Sequence, residues 1–443
     1  MAETVVERLS ATWARTDQIF EILAPNAFLA QPIALRHPFI FYVGHLPAFA
    51  WNHICAGVLG QPSFNAGFDE LFSRGIDPDV DDPTHCHAHP EIPDSWPPLE
   101  KVLAYRDRVR AAVLDSVDAV VERAGTHVMA RDERVFTMVI EHELMHQETL
   151  LYMMQQLAFD LKVRPSWLPP VTLGRGRPPA TVQVPAGTAT LGAGLTDLSF
   201  GWDNEFPPVQ VFVPSFRVDQ TPVTNGQYLA FVKDGGYSRP ELWSDGDWDW
   251  SRAEKLNSPP VWTEKDGRWL YRGLFDLLPL DSVADWPVYV SLAEARAYAC
   301  WQGKRLLTEP EFHRAAFGDP TGAERAFPWG VTAPGEGHGN FDFRFWSPTP
   351  VGAHPEGASA WGVHELVGNG WEWTLTPFTG FPGFEACIPG YPGYSADFFD
   401  GKHFVLKGAS WATAAELVRR SFRNWYQAHY PYVFAKFRCI SID

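Results

Sequence analysis

His142 and His146 stand four residues apart in the string Glu141-His-Glu-Leu-Met-His-Gln-Glu-Thr149. The apolar pattern around them predicts a helix over about 132–157, and residues four apart on a helix project from one face. Neutral imidazole is the commonest protein ligand for zinc, iron and copper, so the pair predicts a metal site. Two ligands do not complete it, and another element must supply a third. His45 opens a second predicted helix, over about 45–59, and histidines from separate bundle helices can meet on an interior ion. His37 and His53 compete with it; His53 would lie two turns along the same helix, about 12 Å away by helix rise. Three neutral histidines leave positions open for substrate, and they suit ferrous iron or zinc.

The same string matches the helix signature of zinc proteases, with Glu143 as general base. That chemistry needs a further ligand downstream. Thr149 and Tyr152 stand where the longer form of the signature has Gly and His. After His146 the chain offers Glu148, which is too near, and Asp160, then no acidic residue before Asp197. Glu143 is therefore expected to be structural or to support a ligand.

The elements that must position these residues fall into two textures. Residues 1–165 carry apolar residues at helical spacing over about 5–24, 45–59, 99–124 and 132–157, which predicts an antiparallel four-helix bundle. A Pro/Gly-rich stretch at 166–182 reads as a linker. From 183 to 443 the chain has short strand-like runs (182–184, 209–213), many turns, and helices only at about 225–233, 291–302 and 309–317. The fold class is thus α+β in two domains. A chain of 443 residues exceeds one ordinary core. A formal charge of −17 argues against nucleic acid or an anionic membrane as main partner. Five scattered cysteines, a polar start over 1–15 and no long apolar run lead to the expectation of a reduced, cytoplasmic protein with no membrane span.

Several strings together carry a family resemblance. Gly44-His45 with Trp51-Asn52, followed by His142-x-x-x-His146, resembles the DinB-like metal bundle of ergothioneine-type sulfoxide synthases. Residues 183–443 resemble their second half, a formylglycine-generating-enzyme-like variant of the C-type lectin fold. The supporting strings are Phe216-Arg-Val-Asp-Gln-Thr-Pro-Val-Thr-Asn, Trp286-Pro-Val, Gly303-Lys-Arg-Leu-Leu-Thr-Glu-Pro-Glu-Phe, Phe327-Pro-Trp-Gly, Gly368-Asn-Gly-Trp-Glu-Trp-Thr, Lys407-Gly-Ala-Ser-Trp and Arg420-Ser-Phe-Arg-Asn-Trp. The resemblance implies a nonheme iron(II) enzyme with O2 as co-substrate. It would join a thiol-type donor to the imidazole of hercynine, with His45, His142 and His146 as ligands. It also implies Tyr391 as proton or electron donor at the oxygen site and Tyr394 lining a trimethylammonium pocket, where a ring face suits a quaternary cation. Asn424 and Trp425 match positions that hold the amino-acid end of the histidine substrate. Both tyrosines have the plainer reading of turn aromatics between Pro and Gly, and Trp425 that of a core ring.

The chain departs from the actinobacterial pattern at three places. Met145 replaces a substrate-contacting Gln, whose role would pass to Gln147 or Asn52. Tyr426 and Gln427 follow Asn-Trp where an Asp helps hold γ-glutamylcysteine. His85, Cys86, His87 and His89 occupy the long bundle connection where donor-binding arginines are expected. These changes suit a donor met through hydroxyls, so the reading favours the selenoneine synthase branch, with a selenosugar as donor. Cysteine or γ-glutamylcysteine as donor remains the alternative. A zinc hydrolase or thiol transferase on the bundle is the alternative of another class. A copper oxidase on the second domain would need a close pair of reactive cysteines, which Cys387 and Cys439 do not evidently form. The cluster Asp245, Asp247, Asp249 leaves calcium open.

Overall fold

The computed structural model describes residues 4–73, 77–78, 86–87, 93, 95–389, 391 and 393–441. They form two compact units: Met1–Ser166 with Thr196–Gly201 and Cys387–Pro392, and Trp167–Leu195 with Trp202–Ala386 and Gly393–Asp443.

The first unit is helical. Its helices are α1 (Val5–Phe20), α2 (Phe39–Ala50), α3 (Ala66–Leu71), α4 (Leu99–Asp115), α5 (Val117–Glu122) and α6 (Arg134–Gln156). Thr4 and Glu7 form a capping box that starts α1. Val5, Leu9, Trp13, Thr16 and Phe20 give α1 one buried stripe, the pattern of a helix lying on a core. α2 differs: all twelve of its residues are buried, as expected of a central helix. It packs against α4 and α6, and α1 packs against α6.

Two sequence-based boundaries change. The helix bearing His45 begins at Phe39, not at His45, so that histidine is an interior residue rather than a cap. The helix then gives way to a π-helix over Trp51–Val58. Pro47 precedes this change; lacking an N–H, it breaks the regular i→i−4 ladder. The predicted 99–124 helix is interrupted at Ser116, whose hydroxyl donates to the Ala112 carbonyl at 2.7 Å.

The second unit mixes sheets and short helices. One four-stranded sheet runs Lys304–Leu306, Cys439–Ser441, Phe216–Asp219, Thr181–Val184; another runs Asn424–Gln427, His403–Ala409, Gly370–Pro377, Ala435–Lys436, the last pair parallel. Leu191, Val213, Val218, Phe312 and Ile440 share one of its apolar clusters. Buried ion pairs cross the core, including Arg438 with Glu372 at 2.7 Å and Arg423 with Glu309 at 3.0 Å. The stretch read as a linker is bound to this unit: the Trp286 indole donates to the Thr172 carbonyl and the Arg177 amide to the Val351 carbonyl, both at 2.9 Å. Asp245–Ala253 is a helix that periodicity did not reveal, started by the Ser244 hydroxyl. Within it Asp247 is engaged by His429 at 2.8 Å and Arg296 at 3.5 Å, which accounts for its charge without an ion. Among the described residues no helix is long and apolar enough to cross a membrane.

Candidate metal centre

The two central helices bring three histidines together. His45 comes from α2, and His142 and His146 from α6 one turn apart. Their potential ligand atoms lie within 4.8 Å of one another. Ring centroids are 5.0 Å apart for His45 and His142, 4.9 Å for His45 and His146, and 4.5 Å for His142 and His146. His45 is 2% exposed and His142 5%.

The surroundings hold these rings in place. His45 Nδ1 lies 2.8 Å from the Phe72 carbonyl. A carbonyl can only accept, so Nδ1 carries the proton and Nε2 keeps the lone pair a metal needs. Phe41 stacks on His45 at 5.0 Å and Phe49 on His142 at 3.6 Å. Burial, and the neighbouring imidazoles, hold His142 well below the usual histidine range. Burial, His45 and Arg36 do the same for His146. These two rings are therefore neutral, the ligand-competent form. Nδ1 of His142 and of His146 is buried with no hydrogen-bond partner among the described residues. Buried polar atoms are rarely left so, and a divalent first-row transition-metal cation is the kind of group this nitrogen set fits.

The other face of α6 is built differently. Glu143 accepts from the Thr16 hydroxyl at 2.6 Å, and the Gln147 amide donates to the Thr12 carbonyl and the Thr16 hydroxyl, each at 3.0 Å. Residues 143 and 147 thus face α1, one helical step round from the histidines. Glu143 is part of the α1–α6 joint. Gln147 is engaged in the same joint, so it does not serve as the substrate-contacting glutamine in place of position 145.

A cavity of about 470 Å³ adjoins the cluster; His45, Phe49, Asn52, His53, His127 and Tyr391 are among the residues lining it. Its size is that of a small-molecule site. The Tyr391 ring lies 5.9 Å from Phe49 and 6.2 Å from His53. Burial pushes His53 down to about 4, so it is a neutral imidazole. Of the competing histidines, His53 is in this cavity but outside the triad. His37 is outside too, with its ring 4.2 Å from Phe41. The sequence offers Asn52 as a substrate contact and His53 as a competing ligand, whereas it does not single out Ser73 and His127; a shared cavity wall leaves no periodic signal.

Tyr394 and residues 424–427 belong to the second unit. Tyr394 is 8% exposed and stacks on Trp202 at 4.0 Å. Trp425 lies edge-on to Tyr394 at 5.4 Å and stacks on Phe378 at 4.2 Å. Asn424, Trp425, Tyr426 and Gln427 form one strand, so Asn424 and Tyr426 face one side and Trp425 and Gln427 the other. Tyr426 stacks on Tyr430 at 5.2 Å. The side chains of His85, His87 and His89 fall outside the described residues.

Known proteins share both halves. Residues 8–150 match the DinB superfamily, and residues 170–442 the sulfatase-modifying factor enzyme 1-like domain. Ergothioneine biosynthesis protein 1 of Neurospora crassa is 31% identical over 97% of this chain, and that of Schizosaccharomyces pombe 33% over 92%. Hercynine oxygenase of Mycolicibacterium thermoresistibile is 39% identical over 72% of the chain. The chain spans 57% and 52% of the two fungal proteins and 69% of the mycobacterial one. A helical unit carrying a three-histidine centre, a mixed second unit and this likeness across nearly the whole sequence agree: the chain belongs to the family that holds hercynine oxygenase and ergothioneine biosynthesis protein 1, built as a DinB-type domain followed by a sulfatase-modifying-factor-type domain.

Proposed function

We propose that this protein is a nonheme iron(II) enzyme that uses O2 to join a selenium or sulfur donor to the imidazole carbon of hercynine, and that its donor is a selenosugar. The observation that carries the reading is the cluster of His45, His142 and His146, their ligand atoms within 4.8 Å of one another, beside a cavity that also holds a tyrosine phenol. His45, His142 and His146 would hold the metal, which when bound supplies the oxygen and one-electron chemistry the coupling needs. Phe41 and Phe49 pack on the ligand rings and keep water from that side. Tyr391 is the group in the cavity suited to give or take a proton at the reacting oxygen. Tyr394, Asn424 and Trp425 would receive the hercynine end. Tyr426 and Gln427 stand where a related branch has an acidic clamp for an amino-acid donor, which supports a donor recognised through hydroxyls.

Metal analysis and turnover test this. The purified protein should take up one ferrous ion, lose it in His142→Ala, and consume O2 with hercynine and a selenosugar. Zinc with no oxygen consumption would favour a hydrolase. Efficient coupling of cysteine or γ-glutamylcysteine, with none of the selenosugar, would return the donor assignment to the sulfur branch.

A further inference from the structure

The π-helix over Trp51–Val58 sets one wall of the cavity. Asn52, His53, Gly57 and Val58 all line it. In an α-helix, residues five apart point about 140° away from each other. Hydrogen bonding i→i+5 brings them nearly one above the other, as in the bond from the Leu59 amide to the Ile54 carbonyl at 3.2 Å. The π segment therefore turns two pairs of residues onto one wall that an α-helix would split between cavity and core. Gly57 fits the same device, because a Cβ there would stand 3.0 Å from the Asn52 carbonyl oxygen. Such segments occur frequently at functional sites.

The polar atoms offered by the described lining residues are neutral and two-sided. The Asn52 amide group donates to the Asp69 carbonyl at 3.3 Å, which fixes the side chain and leaves its oxygen as an acceptor. His127 Nδ1 accepts from the Met129 amide at 3.2 Å, so its proton sits on Nε2 as a donor. His53 has one nitrogen of each kind, and the Ser73 hydroxyl acts both ways. Hydroxyl groups, which both donate and accept, are what such a wall matches; carboxylates and ammonium groups are better met by fixed opposite charge.

We infer that the π-helical wall, through Asn52 and His53 with His127 and Ser73, is the subsite for the chalcogen donor, and that His53 positions an uncharged, hydroxylated donor against the metal centre. The inference rests on the coupling reaction proposed above and adds the residues that choose its second substrate.

Steady-state kinetics of the iron-loaded full chain test it, with hercynine and the selenosugar varied in turn. His53→Phe should raise the donor KM by about tenfold or more, the loss of one buried hydrogen bond. Hercynine KM and bound iron should stay unchanged, and His53→Gln should recover most of the loss. If His53→Phe does not fold, His127→Leu carries the same comparison. An unchanged donor KM in a folded variant overturns the assignment, and so does a rise in hercynine KM instead. If the wild-type protein couples no donor at all, the functional reading falls. The wall is then judged by calorimetric binding of 1-thioglucose without O2: weakening by His53→Phe supports it, and equal binding overturns it.

Discussion

Gly44 precedes the first ligand, and a single methyl there tests how the centre is held. A Cβ at Gly44 would lie 2.5 Å from Phe72 Cδ2 and 2.6 Å from both Cε2 and Cγ. Carbon atoms pack at about 3.5–4.0 Å, so the ring would have to retreat by about 1 Å. The clash reaches Cγ, next to the backbone, so a rotation about the ring axis does not relieve it. Phe72 is fully buried, with Phe41, Phe68, Trp96 and Tyr105 around it. Overpacking of this kind costs about 1–3 kcal/mol. The retreat also moves the Phe72 carbonyl, the 2.8 Å partner that fixes His45, and losing such a partner weakens metal binding by about 10–100-fold. Gly44→Ala is therefore expected to lower both thermal stability and ferrous-ion affinity, measured by melting and by anaerobic titration. Adding Phe72→Leu to Gly44→Ala should recover part of the stability, since the two side chains compete for one space, but less of the affinity. Wild-type stability together with wild-type iron affinity in Gly44→Ala would refute the link between this contact and the ligand.

Glu143→Gln keeps the bond from the Thr16 hydroxyl, so iron binding and turnover should both survive; loss of activity with iron retained would revive Glu143 as a general base. Tyr391→Phe should lower kcat by about 10²-fold or more with hercynine KM unchanged, read by single-turnover kinetics; an unaltered kcat would remove Tyr391 from the proton path. Glu365, in the second unit, has its carboxyl pushed up to about 7 by burial, against the pull of Lys436 and Arg438. A raised carboxyl helps the folded state below its ordinary value of 4.5 and loses that contribution as pH rises through about 7. Glu365→Gln should thus gain on the wild type between those limits, by a few kcal/mol at order of magnitude, in melts run from pH 4.5 to 8; a gap constant across that range would contradict the assignment.

The sequence by itself determined which residues could bind a metal and how the chain divides. His142 and His146 share a face because helical spacing is a local property, and the strings from Phe216 to Trp425 identify the second half because turn and core residues recur in fixed order. Tertiary structure decided what spacing cannot. It put His45 inside α2 rather than at its start, beside two histidines about a hundred positions on. It sent Glu143 and Gln147 to Thr12 and Thr16, and it broke the 3.6-residue period at Trp51–Val58 so that Asn52 and His53 face the cavity. Periodicity reports which side of a segment is apolar. Which neighbour meets each side, and where the backbone leaves its regular period, depends on contacts between residues far apart in the chain, which no local pattern encodes.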